Sequence, residues 1–162
     1  MDSNDTDKNL RIYLNDHLAG STGGLELARR ARGNSTDPVR TAMWVTICEE
    51  VETDRDVLVQ MIERLDFHGN PVKALLAWAG EKVGRLKPNG QISGPSALGQ
   101  YVELELMFLG VTGKLSLWEA LAAADDPRLR DFNLVELIAR AESQRERLDQ
   151  HRLALGSRLF GH

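Results

Sequence analysis

Apolar residues recur at heptad spacing in four long stretches of the chain, the pattern of helices that bury one stripe against their partners. In the first stretch the stripe runs Leu10, Leu14, His17, Ser21, Gly24, Ala28, Ala31. In the second it runs Met43, Ile47, Glu50, Asp54, then Val57 or Leu58, Met61 and Leu65. The third gives Leu98, Tyr101 or Val102, Glu105, Phe108 or Leu109, and Thr112. The fourth gives Leu134, Ile138, Ala141, Arg145, Leu148, Arg152, Leu155 and Leu159, and a second stripe there replaces the arginines by Gln144 and His151.

Prolines punctuate these stretches and never fall inside one. Asp37-Pro38, Asn70-Pro71, Gly94-Pro95 and Asp126-Pro127 each place a good N-cap before a proline at the first helical position, where its missing N–H needs no partner. Pro88 closes a helix instead. The pattern predicts helix A over 7–33, helix B over 38–68, a short helix over 71–87, helix C over 96–124 and helix D over 131–159. Asn133 and Glu136 form a capping box for helix D. Residues 1–6 read as flexible and 156–162 as a tail, on one domain spanning 1–162. The fold class is all-α: a four-helix bundle with a long crossover containing the short helix between B and C. That short helix, about 25 Å long, packs Val72, Leu75, Leu76, Ala79, Val83 and Leu86 and leaves Lys73, Lys82, Arg85 and Lys87 in water.

Composition agrees with helices and narrows the function classes. At 162 residues, 42% hydrophobic and 27% charged with 6% aromatics, the chain can bury a core without a staple. A net charge of −4, from 20 basic and 24 acidic residues, excludes a strongly basic nucleic-acid binder. The single Cys48 excludes a disulfide framework and a Cys-rich zinc module. The polar, acidic start Met1-Asp-Ser-Asn-Asp-Thr-Asp-Lys8 is the opposite of a signal peptide. No uninterrupted apolar run approaches the roughly 18 residues that span a bilayer, and Leu106 to Gly113 is among the most apolar. A cytoplasmic protein without nucleic-acid or membrane partners is the expectation. Charge is uneven: residues 37–68 carry eight acids against three bases, whereas 71–87 carries four bases against Glu81, so the crossover helix can lie against helix B.

All four stripes are interrupted by polar residues near mid-height. Buried carboxylates are costly unless paired or bound to metal. His17, Glu50, Asp54, Glu105 and Arg145 are therefore expected to meet at one level, with His151 as a further partner from the second stripe of helix D. Glu103 shares a face with Gln100 and Lys114 that reads as wet, and Glu49, Glu52 and Asp56 read as outward.

Two helices, a long crossover, two helices and inward acids at mid-height resemble the ferritin-like superfamily of helical bundles. The resemblance covers the architecture of nearly the whole chain. It implies a di-iron or di-manganese centre built from a Glu on two helices and a Glu-x-x-His on each of the other two. This chain departs from that pattern. Helix B has Glu50-Val-Glu-Thr53 and helix D has Glu142-Ser-Gln-Arg145, with Thr and Arg in place of the histidines; helix A offers His17 in place of a Glu. Glu50 and Glu105 match, so the metal motif is degenerate. The runs Tyr13–Leu18 and Ala77–Leu86 are also similar to stretches of bacterial helical proteins and bring no function with them.

Two main readings follow. In the first, the layer is a salt-bridged core closed by Arg145, and the chain is a non-enzymatic binding or interaction protein, expected as a homodimer in which small-residue patches and leftover apolar faces pair. In the second, His17, Glu50, Asp54 and Glu105 hold iron, manganese or zinc, as one imidazole and three carboxylates would, and the protein is an oxidoreductase. A fixed guanidinium at Arg145 argues against the second. Gly20-Ser-Thr-Gly-Gly24 and Gly110 with Gly113 put glycine inside two helices at about 1 kcal/mol each, so close approach of another helix or a ligand is expected there. A small-ligand site between helices A and C would appear as a pocket lined by Gly20, Gly24 and Gly110. Cys48, beside Glu49 and Glu50, reads as unreactive. Arg29, Arg30 and Arg32 complement a helix dipole. His68 and His162 read as surface residues, and Trp44, Trp78 and Trp118 as core or interface.

Overall fold

The computed structural model of the chain describes residues 3–67 and 96–161. Four long helices make up those residues, with no strand among them: α1 (Ser3–Asn34), α2 (Pro38–Arg64), α3 (Ala97–Ala124) and α4 (Leu134–Phe160), plus a 3-10 turn at Pro127–Leu129. The starts of α2, α3 and α4 are capped as the local chemistry requires. Asp37 accepts from the Arg40 N–H at 2.8 Å ahead of Pro38, Ser96 from the Gly99 N–H at 3.0 Å, and Asn133 from the Glu136 N–H at 3.1 Å.

The helix ends differ from expectation in four places. α1 begins at Ser3, so residues 3–6 are helical rather than loose. Arg128 ties this end down, donating to Asp7 at 2.7 Å and to Asp126 at 2.6 Å. α2 stops at Arg64, because Asp66 takes a left-handed φ of 55°, one of the few residue types that tolerate it. Asp126-Pro127 starts a 3-10 turn, and the long helix begins only at Leu134. The last helix runs on to Phe160 with no separate tail from 156, and Phe160 meets Tyr101 edge-on at 5.2 Å. The expected short helix over 71–87, with Trp78, lies outside the described residues, as do His68, the helix stop at Gly69, Pro88, the Gly94-Pro95 start and His162.

α1 packs on α2 and α3, and α4 packs on α3 and α2, which places α1/α4 and α2/α3 on the diagonals. Every neighbouring pair is antiparallel. Thr22 faces Arg55 while Arg29 reaches Glu52; Glu50 meets Arg147 while Arg64 meets Asp131; Lys114 meets Gln144 while Tyr101 meets Arg152. The two diagonal helices α2 and α3 therefore run the same way, and α2 ends at the opposite end of the bundle from where α3 begins.

Two hydrophobic clusters fill the interior. One holds Leu14, Leu18, Leu58, Met61, Trp118 and Leu137, the other Leu25, Trp44, Ile47, Met107, Leu148 and Leu155. Between them, at mid-height, Asp54 and Gln144 are buried.

α3 is rotated relative to the stripe predicted for it. Its buried face runs Gln100, Glu103, Leu104, Met107, Val111, Leu115, Trp118 and Leu121, whereas Leu98, Leu106 and Leu109 are exposed. Glu103, expected to be wet, is 2% exposed. The helix is apolar on every side, so apolar positions did not single out a face. By length and composition it is also the one described helix apolar enough to cross a membrane, with a window of mean hydropathy 1.3 that is 33% buried.

Candidate functional site

Asp54, Lys114 and Gln144 occupy stripe positions of α2, α3 and α4 at one level. Asp54 lies between Val51 and Leu58, Lys114 between Val111 and Trp118, Gln144 between Ala141 and Leu148, at the three- and four-residue steps that keep a helix face. The three side chains form a closed triangle. Lys114 Nζ donates to Asp54 Oδ2 at 2.5 Å and to Gln144 Oε1, and Gln144 Nε2 donates to the same Asp54 Oδ2 at 3.1 Å. Arg140 Nη2 stands 2.6 Å from the other oxygen, Oδ1, as an ion pair outside hydrogen-bond alignment. One turn along, Arg147 Nη2 donates to Glu50 Oε2 at 2.5 Å. Asp54 is 1% exposed and the Lys114 side chain 14%. Burial pulls the Lys114 ammonium below the usual lysine range, and the Asp54 carboxylate opposes that pull.

A cleft of about 130 Å³ opens beside this triangle, between α1, α2 and α3. Gly20 and Gly24 form its wall on α1, Gly110 and Gly113 on α3. A Cβ built on any of these four glycines meets nothing within 4 Å among the described residues. The close helix approach that would have explained the glycines is thus not made; they leave space instead. Val51, Leu58, Met107 and Val111 make the interior of the cleft apolar, and His17, Ser21, Asp54, Arg55 and Lys114 line it as polar groups. Trp118 also lines it, 1% exposed, with its Nε1–H lacking a hydrogen-bond partner among the described residues.

The residues expected to meet in the layer are only partly brought together. Asp54 is its centre, and Glu50 is adjacent but taken by Arg147. His17 lies at the cleft, its ring 4.6 Å from that of Tyr13 and nearly perpendicular to it, and burial lowers its pKa against the opposing pull of Asp16. Glu105, half-buried on α3, and Arg145, half-buried on α4, make no ion pair with a described residue. The guanidiniums that close the layer are those of Arg140 and Arg147, not Arg145. His151 belongs to a second cleft at the start of α2, with Asp37, Arg40 and Arg158. Its pKa is lowered by burial and by Arg40, with Asp37 opposing.

No group of three or more His, Cys, Asp or Glu side chains able to hold a metal ion occurs among the described residues. The donor set for iron, manganese or zinc does not fit: Asp54 is held by two cations and an amide, Glu50 by a third cation. A dication placed here would have to displace fixed positive charge. Cys48 is buried, and burial is the main cause of its raised pKa, with Arg32 and Arg29 opposing and Glu52 and Glu49 adding to it.

Sequence reasoning missed Lys114, Arg140 and Arg147. One signal pointed to the first: Lys114 is the only basic residue between Ala97 and Ala124, on a helix that must cross a buried Asp. At the upper end of α3, Glu103 Oε1 accepts from Asn34 Nδ2 at 2.8 Å and lies 3.4 Å from Arg30, while its Oε2 has no hydrogen-bond partner. Burial raises its pKa, with Asn34 and then Arg30 opposing.

Compared with known protein families, curated proteins and solved structures, the chain matches none.

Proposed function

We propose that this chain is a ferritin-like helical bundle acting as a non-enzymatic binding protein, with a salt-bridged layer where related bundles carry metal, and with the α1–α2–α3 cleft as its ligand site. The observation that carries the reading is the position of Lys114, a cation at the centre of the layer with its head beside the cleft. Ferritin-like connectivity is supported by the parallel run of the diagonal helices α2 and α3, which one long crossover satisfies. The ligand site is supported by four interior glycines that cost helix stability and return no contact. An apolar recess with a few convergent polar groups is also the usual form of a small-molecule site. Self-association belongs to the same proposal, as the cover for Leu98, Leu106 and Leu109 on α3.

Ligand-observed NMR with benzoate, benzyl alcohol and benzylamine tests the binding reading. At least one probe is expected to bind with a dissociation constant of about 1 mM or tighter, and Gly24→Leu, which fills the cleft from α1, is expected to abolish it. Failure of all three probes, or equal binding by the filled variant, contradicts the reading.

A further inference from the structure

The chemistry of the cleft narrows the kind of molecule it takes, given the binding reading above. Charge comes first. Around the triangle the layer holds three cations, Lys114, Arg140 and Arg147, against two carboxylates, Asp54 and Glu50. Each cation has a carboxylate partner, and the network carries one excess positive charge. Donors come second. An ammonium has three N–H bonds, and Lys114 spends two of them on Asp54 and Gln144. Trp118 adds an indole N–H with no hydrogen-bond partner among the described residues, on a side chain that is 1% exposed. Of the Asp54 oxygens, Oδ2 already receives two hydrogen bonds and Oδ1 faces the Arg140 guanidinium. The site is therefore short of negative charge. Size comes third: a volume of about 130 Å³ is close to that of an engineered apolar cavity that holds benzene.

We infer that the cleft binds a small monoanion with an apolar body, an aromatic or branched aliphatic carboxylate, with its carboxylate on Lys114 and its body between the glycine faces of α1 and α3. A cationic ligand would meet Lys114 head on. A neutral one can accept a hydrogen bond from Lys114 but leaves the excess positive charge of the network unneutralised.

The test is an NMR titration of the full chain with benzoate, benzyl alcohol and benzylamine, three probes that share a ring and differ in charge. Benzoate is expected to bind about tenfold or more tightly than benzyl alcohol, as a charge-assisted bond should provide, with benzylamine weakest. Lys114→Met is expected to bring benzoate down to the level of benzyl alcohol measured in the same variant. The indole N–H signal of Trp118 in the unmodified chain gives a readout that does not depend on any variant folding, and benzoate is expected to shift it. Benzyl alcohol binding as well as benzoate, or a Trp118 signal unmoved while benzoate binds, overturns the inference and leaves the cleft as a neutral-ligand site. If no probe binds, or none is lost in Gly24→Leu, the inference and the binding reading fall together.

Discussion

Replacing Lys114 with methionine keeps most of the side-chain volume and removes the ammonium that closes the triangle. Asp54, at 1% exposure, cannot turn to water for compensation. Breaking a buried ion pair by removing one partner costs about 3–5 kcal/mol. Two interactions soften the loss here: Arg140 keeps its approach to Oδ1, and Gln144 Nε2 keeps donating to Oδ2. The loss therefore falls just below that range, at about 2–3 kcal/mol. For a domain of this size that is a fall in Tm of about 5–10 °C. Differential scanning calorimetry at pH 7 measures it, on Lys114→Met, Asp54→Leu and the double variant. With both charges removed the double variant is expected to lose much less than the sum of the singles, because Arg140, with 25% of its side chain exposed, can turn to solvent. Additive losses, or a fall below about 2 °C for Lys114→Met, would refute a mutually supporting buried pair.

Two further predictions rest on the same geometry. Gly110→Ala and Gly20→Ala add a Cβ where nothing lies within 4 Å among the described residues, so each is expected to raise Tm by about 2–4 °C through helix propensity; a fall would mean that these glycines make contacts. The Glu103 carboxyl is raised above its ordinary 4.5 by burial, with Asn34 and Arg30 opposing. Between the ordinary and raised values the folded chain binds the extra proton, so the unmodified protein loses stability as pH rises through that window. The Tm of Glu103→Gln relative to the unmodified chain is expected to climb from acid to neutral pH, and a flat or falling difference would contradict the burial of Glu103.

Much of the fold was legible because its signals agreed with one another. Asp37-Pro38 and the Asn133/Glu136 pair marked helix starts with side chains that do cap them, and the stripes of α1, α2 and α4 are amphipathic enough that Leu14, Ile47, Met61 and Leu148 could only face inward. α3 defeated the same method. With Leu98, Leu106 and Leu109 as apolar as Leu104 and Met107, hydrophobicity carries no phase around that helix, and the polar residues that settle its rotation are buried ones, Glu103 and Lys114. A rule that sends charges to the surface places both wrongly, because each is held inside by partners on other helices: Asn34 and Arg30 for Glu103, Asp54 and Gln144 for Lys114. Asp54 was found from its place in the α2 stripe, but the identity of its cation depended on where α3 and α4 point. The glycine patches were legible as small-residue surfaces inside two helices. Whether they draw two helices together or hold a space open depends on the distance between helix axes, which residue spacing does not encode.

The measurement that tests the central claim most directly is the metal content of untagged protein expressed in medium supplemented with iron, manganese and zinc. A layer whose carboxylates are held by Lys114, Arg140 and Arg147 is expected to carry those metals only at trace level. Near-stoichiometric metal, lost from folded Glu50→Ala and Glu105→Ala variants, would contradict the salt-bridged layer and return the chain to the metal-binding bundles.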